Sequence, residues 1–369
     1  MSAQLRIGLD GRPLTARRSG IGRYVFELSQ ALHAALPDAE FFAFGRSKMV
    51  PPVNSPRWHC IQESSRVASK LPGLFWLRWR VPQLLRQLDL DVFWGGAGIL
   101  PAHTHGARTL LTIHDFNVMV VPKTMPTLGW AASSMFQHQD IASADAISTN
   151  SCGTAERLRH YYGKTAAVVA PPAVSRAFLA AARAPDWSVL TTYGLSAGSY
   201  WLMVSNLEPR KNMEIAVRAF LAMKRTGETQ GMKLAICGAS GWKNRRLIRL
   251  LQDARADGVE QLSYVPDEHL PSLFRGARLF LFPSIYEGFG MPVLEALACE
   301  TPVVTTELPE LREASLGLAN YIEPTIEGVI QGVRSALARP RPTLTGVRQV
   351  PTWENSGQLL ADAILALAQ

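Results

Sequence analysis

Two glutamates eight residues apart, Glu287 and Glu295, flank a glycine-bearing turn in residues 284–295, S-I-Y-E-G-F-G-M-P-V-L-E. The apolar run 279–282 before it reads as a buried strand, and residues 293–299 after it read as a helix. This places Glu287 at a strand's carboxyl end, Gly288 and Gly290 in the turn, and Glu295 about one turn inside the helix. Open α/β sheets bind ligands in the crevice outside the carboxyl ends of their strands. Glycines let backbone N–H groups approach an anion, and a helix N-terminus adds its dipole. A carboxylate beside a phosphate is unfavourable unless it serves another part of the ligand, and sugar or ribose hydroxyls are donors that suit it. The chemistry expected is binding of a nucleotide sugar, with phosphate in the middle and hydroxyls at both ends. A plain strand-turn-helix, with Glu287 solvated and Glu295 as a helix-start charge, fits this stretch alone equally well.

A second cluster is Glu208-Pro209-Arg210-Lys211-Asn212, a loop between the apolar run 201–205 and the helical pattern 213–223. Arg210 offers a planar fork and Lys211 a point charge, and together they can neutralise a diphosphate. Alone, they would read as a solvated basic turn. A second strand-loop site carrying Glu287 in the same half of the chain favours a clamp on a leaving group.

The stretch E-G-F-G-M-P-V-L-E resembles the E-x7-E motif of retaining glycosyltransferases of family 4, which have the two-domain GT-B fold. The resemblance extends along nearly the whole chain. It takes in Asp10-Gly11-Arg12-Pro13 with residues 19–24 (S-G-I-G-R-Y), His114-Asp115, the E-P-R-K-N of residues 208–212, Pro302-Val303-Val304 and Trp353-Glu354. The pattern is closest to bacterial mannosyltransferase-like members that build surface polysaccharides such as O-antigen.

The resemblance implies two Rossmann-like doubly wound α/β domains facing across a cleft, with a C-terminal helix crossing back to the first. It implies that Gly20, and with it Gly22, meets the donor diphosphate, and that His114 touches the donor sugar while Asp115 orients its loop. Backbone near Tyr264 and Val265 would hold the base. Arg210, Lys211 and the amides of Phe289 and Gly290 would stabilise the leaving phosphate, Gly288 would open the turn, Glu287 would bind sugar hydroxyls, and Glu295 would hold the ribose. Some family members carry an additional Arg six residues before the Lys, where this chain has Ser205. The family implies retention and no metal cofactor. The donor implied is a GDP-linked mannose or related deoxyhexose, and the acceptor a glycan or polyprenyl-diphosphate-linked glycan. A UDP-sugar transferase, a nucleotide-sugar epimerase and a non-catalytic nucleotide-sugar-binding subunit are the alternatives. Glu287→Ala is expected to keep the fold and lose transfer.

The elements that must position these groups alternate. Residues 5–9, 41–45, 92–95, 110–113, 146–150 and 166–170 read as strands. Residues 24–36 and 136–145 read as helices, with Ser19 as an N-cap after a basic glycine loop that includes Arg17 and Arg18. A second such alternation begins at Trp201, with strands at 234–237, 261–266, 279–282 and 301–306, and a terminal helix at 356–367. Residues 183–199, with Pro185, Gly194 and Gly198, read as the hinge. The expected domains are 1–185 for the acceptor, 186–350 for the nucleotide sugar, and 351–369 for the crossover helix.

Residues 64–88 carry Arg66, Lys70, Arg78, Arg80 and Arg86, with Trp76 and Trp79 among leucines. They suit either an anionic membrane interface or a core-packed helix, and the family resemblance favours the interface. Asp89-Leu90-Asp91 superficially matches a metal-binding D-x-D, but it stands before a strand, where the carboxylates more simply end a helix.

The composition is globular: 369 residues, 47% hydrophobic and 18% charged, enough for two domains. Four widely spaced cysteines, Cys60, Cys152, Cys237 and Cys299, form no C-x-x-C pair; a reduced cytoplasm with the cysteines in the core is the simplest reading. The opening residues contain no apolar signal region. A net charge of +8 suits nucleotide phosphates, a lipid pyrophosphate or an anionic membrane, and no basic-aromatic motif of a nucleic-acid module is present. The expected location is the cytoplasm, peripherally on the inner face of the cytoplasmic membrane.

Overall fold

The computed structural model describes residues 4–16, 19–181, 183–345 and 350–369. The chain forms two compact units. The first comprises residues 1–116, 131–172 and 351–369, and the second residues 117–130 and 173–350.

The first unit is built on a parallel seven-stranded sheet. Its strands are β1 (Arg6–Asp10), β2 (Glu40–Gly45), β3 (Trp58–Gln62), β4 (Val92–Gly95), β5 (Arg108–Ile113), β6 (Ala146–Thr149) and β7 (Val168–Val169), in spatial order 3-2-1-4-5-6-7. β3 is absent from the expectations above, because W-H-C-I-Q mixes polar and apolar residues and only β2 beside it makes it a strand. The central strands are continuously buried, as strands covered on both faces must be. Their few polar side chains find one another: Trp94 Nε1 donates to Thr112 Oγ1 at 2.9 Å, and the Thr112 and Ser148 hydroxyls lie 2.7 Å apart.

The second unit carries a parallel six-stranded sheet. Its strands are β8 (Tyr200–Val204), β9 (Lys233–Cys237), β10 (Val259–Ser263), β11 (Leu279–Phe282), β12 (Val303–Thr306) and β13 (Asn320–Ile322), in order 10-9-8-11-12-13. The period of two divides its core cleanly. Leu202, Phe280 and Phe282 pack on one face, and Trp201, Met203, Leu279 and Leu281 on the other. Each fully buried large side chain contributes about 1.5–3 kcal/mol. In both sheets the strand order reverses once, between β1 and β4 and between β8 and β11, and those are the positions where open α/β sheets form ligand crevices.

Several expectations are corrected. Gly20 and Gly22 do not form a loop ahead of a helix starting at Tyr24; they make the first turn of the helix Gly20–Ala35. Ser19 is its N-cap, and its hydroxyl accepts from Gly22 N at 3.1 Å. That amide is therefore spent inside the helix. Arg17 and Arg18 lie outside the described residues. The helix expected at 136–145 begins a full two turns earlier, at Thr127. The cysteines divide: Cys237 and Cys299 are buried, whereas Cys60 and Cys152 are exposed.

The chain passes into the second unit after Pro172, so residues 183–199 lie within that unit. The terminal helix Trp353–Ala368 belongs to the first unit, where Gly357 lies against Ala31 so closely that a Cβ would come within 2.3 Å of the Ala31 Cβ.

Residues 64–88 divide between the core and the surface. Gly73 to Leu85 winds as consecutive helical turns, with a π-type turn at Trp76–Arg80. Trp76 is fully buried and donates to Glu63 Oε2 at 2.9 Å. Burial would raise the Glu63 carboxyl, but Arg80, Ser65 N and Trp76 outweigh it and hold it down at about 2. Trp79, 54% exposed, instead stacks on Phe75 at the surface. Asp91 of the D-x-D sequence accepts from Arg6 N at 2.7 Å, fastening the start of β1. Among the described residues no helix is long and apolar enough to cross a membrane.

Candidate active site

The loops leaving β8 and β11, at the reversal of the second sheet, carry the charged groups singled out in the sequence. Backbone ties hold them side by side: Ile285 N donates to Arg210 O at 2.9 Å. Behind them Thr305 Oγ1 donates to Phe282 O at 2.7 Å and Thr306 Oγ1 to Ser284 O at 2.5 Å, fixing the end of β11. Pro209–Lys211 forms a single 3-10 turn, and Asn212, at φ +52°, turns the chain into the helix Met213–Arg225. Asn is among the few residues that adopt this left-handed conformation readily.

Lys211 Nζ lies 2.6 Å from Glu287 Oε1, and Arg210 Nη1 lies 3.1 Å from Glu287 Oε2. Arg210 Nε also donates to Glu208 Oε2 at 3.0 Å, and its Nη1 reaches the Tyr286 carbonyl at 3.3 Å. Glu287 is 5% exposed and Lys211 9%. The solvated-glutamate reading is thus overturned: Glu287 is a buried carboxylate between two cations. Burial pushes the Glu287 carboxyl up, but Lys211 and Arg210 outweigh it and hold it ionised below its usual range. Burial pulls the Lys211 ammonium below its ordinary value, partly offset by Glu287. Lys211 Nζ also stands 5.2 Å from the centre of the Phe282 ring.

Two cations and two carboxylates in one network hold each other in fixed directions. Fixed directions matter because donors already aimed at developing charge need no reorganisation during reaction. Glu208 is the group that sequence reasoning passed over. Its sequence signal is an acid two residues before an arginine, next to a proline-led turn.

The other second-unit candidates lie on the segments that follow β10 and β11. Gly290, at φ +97°, caps the helix Met291–Ala298, and a Cβ there would also come within 2.4 Å of Leu311. Glycine is needed on both counts. Phe289 is buried, Gly288 is half-buried, and Glu295 lies buried inside that helix. Tyr264 and Val265 follow the end of β10; Tyr264 is exposed and Val265 buried.

In the first unit, His114 follows β5 and Asp115 follows it, both half-buried. A His114 ring nitrogen, Nε2, is 2.7 Å from Gly96 O, beyond β4, which orients the imidazole. The Tyr24 ring meets it edge-on, with centroids 5.0 Å apart. Burial lowers the His114 pKa, against the Gly96 bond and Asp115, so the ring is neutral at neutral pH. Tyr24 in turn donates to Ala170 O at 2.8 Å.

Residues 18–178 match the family model described as Glycosyltransferase Family 4, and residues 197–320 the model described as Glycosyl transferases group 1. The chain is 28% identical to an O-antigen chain mannosyltransferase B of Escherichia coli, over 95% of this chain and 97% of that protein. It is 27% identical to a D-inositol 3-phosphate glycosyltransferase of Pseudarthrobacter chlorophenolicus, over 82% of this chain and 77% of that one. Among solved structures, it superposes on WaaG, a glycosyltransferase involved in lipopolysaccharide biosynthesis, with a TM-score of 0.69, 16% identity and coverage of 99% and 97%. The sucrose-phosphate synthase from Thermosynechococcus elongatus gives 0.71 at 18% identity, covering 99% and 96%.

Proposed function

Because the chain is a family 4 glycosyltransferase of the GT-B fold, we propose that it transfers a hexose, mannose or a related deoxyhexose, from a GDP-sugar to a lipid-linked glycan of surface polysaccharide synthesis, with retention of configuration. The observation that carries this reading is the network of Glu208, Arg210, Lys211 and Glu287 at the strand-order reversal of the second sheet. The O-antigen mannosyltransferase relative supports the choice of sugar and pathway class.

In this reading the bond from the anomeric carbon to the phosphate oxygen breaks, leaving positive charge on the sugar and negative charge on the diphosphate. Arg210, Lys211 and the amides of Phe289 and Gly290 take up the negative charge. Glu287 keeps its contacts with both cations and uses its remaining acceptor capacity for a sugar hydroxyl. Glu295 holds the ribose, backbone at Tyr264 and Val265 holds the base, and neutral His114 contacts the donor sugar. Gly20, at the first turn of its helix, approaches the diphosphate, whereas the Gly22 amide is held by Ser19. The acceptor hydroxyl attacks from the face the diphosphate leaves, and its proton passes to the departing phosphate. Two protein cations make a divalent metal unnecessary for charge neutralisation.

The first experiment is thermal stability of the protein with GDP, UDP and ADP separately. A ligand at about 100 times its Kd stabilises by about 2.7 kcal/mol, a shift of a few degrees. GDP alone is expected to give it. A UDP response would replace the donor, and silence from all three would remove the nucleotide site. With a responding donor, an α-linked product from an α-linked sugar nucleotide is the expected outcome, and a β-linked product would overturn retention.

The same reading places the first unit on an anionic membrane through residues 64–88. Val67, Leu71 and Trp79 are exposed beside exposed Arg66, Lys70 and Arg86, the mixture of apolar and basic groups that such surfaces attract. Trp79→Glu should reduce co-sedimentation with phosphatidylglycerol vesicles several-fold without altering stability. Unchanged sedimentation would place the membrane contact elsewhere.

A further inference from the structure

The first sheet also reverses its strand order, and beside that reversal two arginines meet. Arg12 follows β1 and Arg46 follows β2. Asp10, fully buried at the end of β1, grips Arg12 with both oxygens: Nε to Oδ1 at 2.9 Å and Nη2 to Oδ2 at 2.7 Å. This bidentate pair fixes the plane of the guanidinium and leaves Nη1 outside it. Arg46 spends Nη1 on the Leu71 carbonyl. Its Nε is buried and has no hydrogen-bond partner among the described residues. An unsatisfied buried donor is costly in a native protein and calls for an explanation.

The donors left over converge. A Cβ built on Gly73 would sit 3.0 Å from Arg12 Nη1 and 3.3 Å from Arg46 Nη2. Gly73 does not have the positive φ that would demand glycine, so what its missing side chain provides is room for two guanidinia to approach one place. Like charges do not gather at no cost. Asp10 neutralises one of them, and among the described residues the second meets a carbonyl and no carboxylate. The rim is the 64–88 segment: Leu71, whose carbonyl anchors Arg46, is partly exposed, and Val67 is 79% exposed.

We propose that Arg12 and Arg46, meeting over Gly73, form a phosphate-binding subsite of the first unit that holds the phosphate of the acceptor, with Asp10 as the residue that positions Arg12. The inference rests on the lipid-linked acceptor of the preceding reading for its choice of ligand, and on the geometry alone for the anion. Two guanidinia offer charge-assisted donors to the same oxyanion. The exposed apolar side chains on the rim suit an isoprenoid tail attached to it. The donor diphosphate is served elsewhere, by Arg210 and Lys211 of the second unit.

The test keeps the two anion sites apart by working on full-length Lys211→Met protein, in which the second-unit clamp is weakened. Inorganic pyrophosphate titrated calorimetrically should bind it, and adding Arg46→Gln should weaken that binding about tenfold or more, the loss of one charged donor pair. Among the described residues Arg46 bonds a single carbonyl, so its replacement should fold, whereas Arg12→Ala would strand buried Asp10. Gly73→Ala, which keeps both charges and crowds them, should weaken pyrophosphate several-fold.

Vesicles distinguish the source of the phosphate. At matched surface charge, protein with Arg46 should prefer phosphatidylcholine containing polyisoprenyl phosphate over phosphatidylcholine containing phosphatidylglycerol, and Arg46→Gln should abolish the preference. If pyrophosphate binding falls with Arg46→Gln but vesicles show no preference, the subsite stands and its ligand is a soluble phosphate. Pyrophosphate bound equally with and without Arg46, or not bound once Lys211 is gone, overturns it. None of these readouts needs sugar transfer, so absence of transfer would refute the proposed function and leave this result to stand or fall by itself.

Discussion

Glu287→Gln is expected to fold, to bind nucleoside diphosphate at least as well as the parent, and to transfer sugar about 10²-fold more slowly or worse. The carboxamide keeps the shape and can still accept from Lys211, 2.6 Å away in the parent. What it loses is the negative charge that competes with a diphosphate for Arg210 and Lys211, so the anion should be held more tightly. It also loses the second charged oxygen that fixes Arg210 at 3.1 Å, and with it the aim of the guanidinium. Turnover should therefore fall while affinity rises, and calorimetry beside steady-state rates separates the two. A variant with parental turnover would reduce Glu287 to a structural counter-ion. The simpler Glu287→Ala, expected from sequence to leave the fold intact, is the poorer probe. It would take from Lys211, 9% exposed, the carboxylate 2.6 Å away while Arg210 kept Glu208, and breaking a buried pair in this way costs about 3–5 kcal/mol.

Lys211→Met is expected to lower turnover by about 10²–10³-fold, the usual effect of removing one preorganised donor from developing negative charge. Methionine matches the length of the stem and remains against Phe282, so packing is largely kept. Glu287 would retain Arg210 as its partner. The pH profile supplies a second check. The clamp needs the ammonium charged, and burial lowers its pKa from the ordinary value. Activity should thus decline on the alkaline side earlier than an exposed lysine would allow. Lys211→Arg, charged at every accessible pH, should lose that limb even if its absolute rate is low. An alkaline limb unchanged in Lys211→Arg would assign it to another group, and unchanged turnover in Lys211→Met would remove Lys211 from the clamp.

The alternation of apolar runs with helical spacing, and therefore two doubly wound α/β halves, could be read from the chain alone. β4 and β11 fall on the residues their composition marks, Val92–Gly95 and Leu279–Phe282. The reason is that strands buried on both faces leave a continuous apolar run whatever packs around them. The loops bearing Arg210, Lys211 and Glu287 were legible for the same reason, as breaks between strong elements. Ser19 as an N-cap was legible because capping is a contact over three residues.

Other features depended on partners distant in sequence. Glu287 is met by Lys211 and Arg210 from 76 and 77 residues away, and nothing local distinguishes that buried carboxylate from a solvated one. The segment 64–88 has one composition and two fates, Trp76 in the core beside Glu63 and Trp79 at the surface, because a π-type turn and the neighbouring elements decide which way each ring faces. β3 needs β2 to be a strand at all. Residues 117–130 join the second unit although the chain on either side of them belongs to the first. Periodicity and capping act over a few residues and are written in the chain, whereas burial, ion pairing and the meeting of Arg12 with Arg46 are properties of surfaces that exist only once the sheets have assembled.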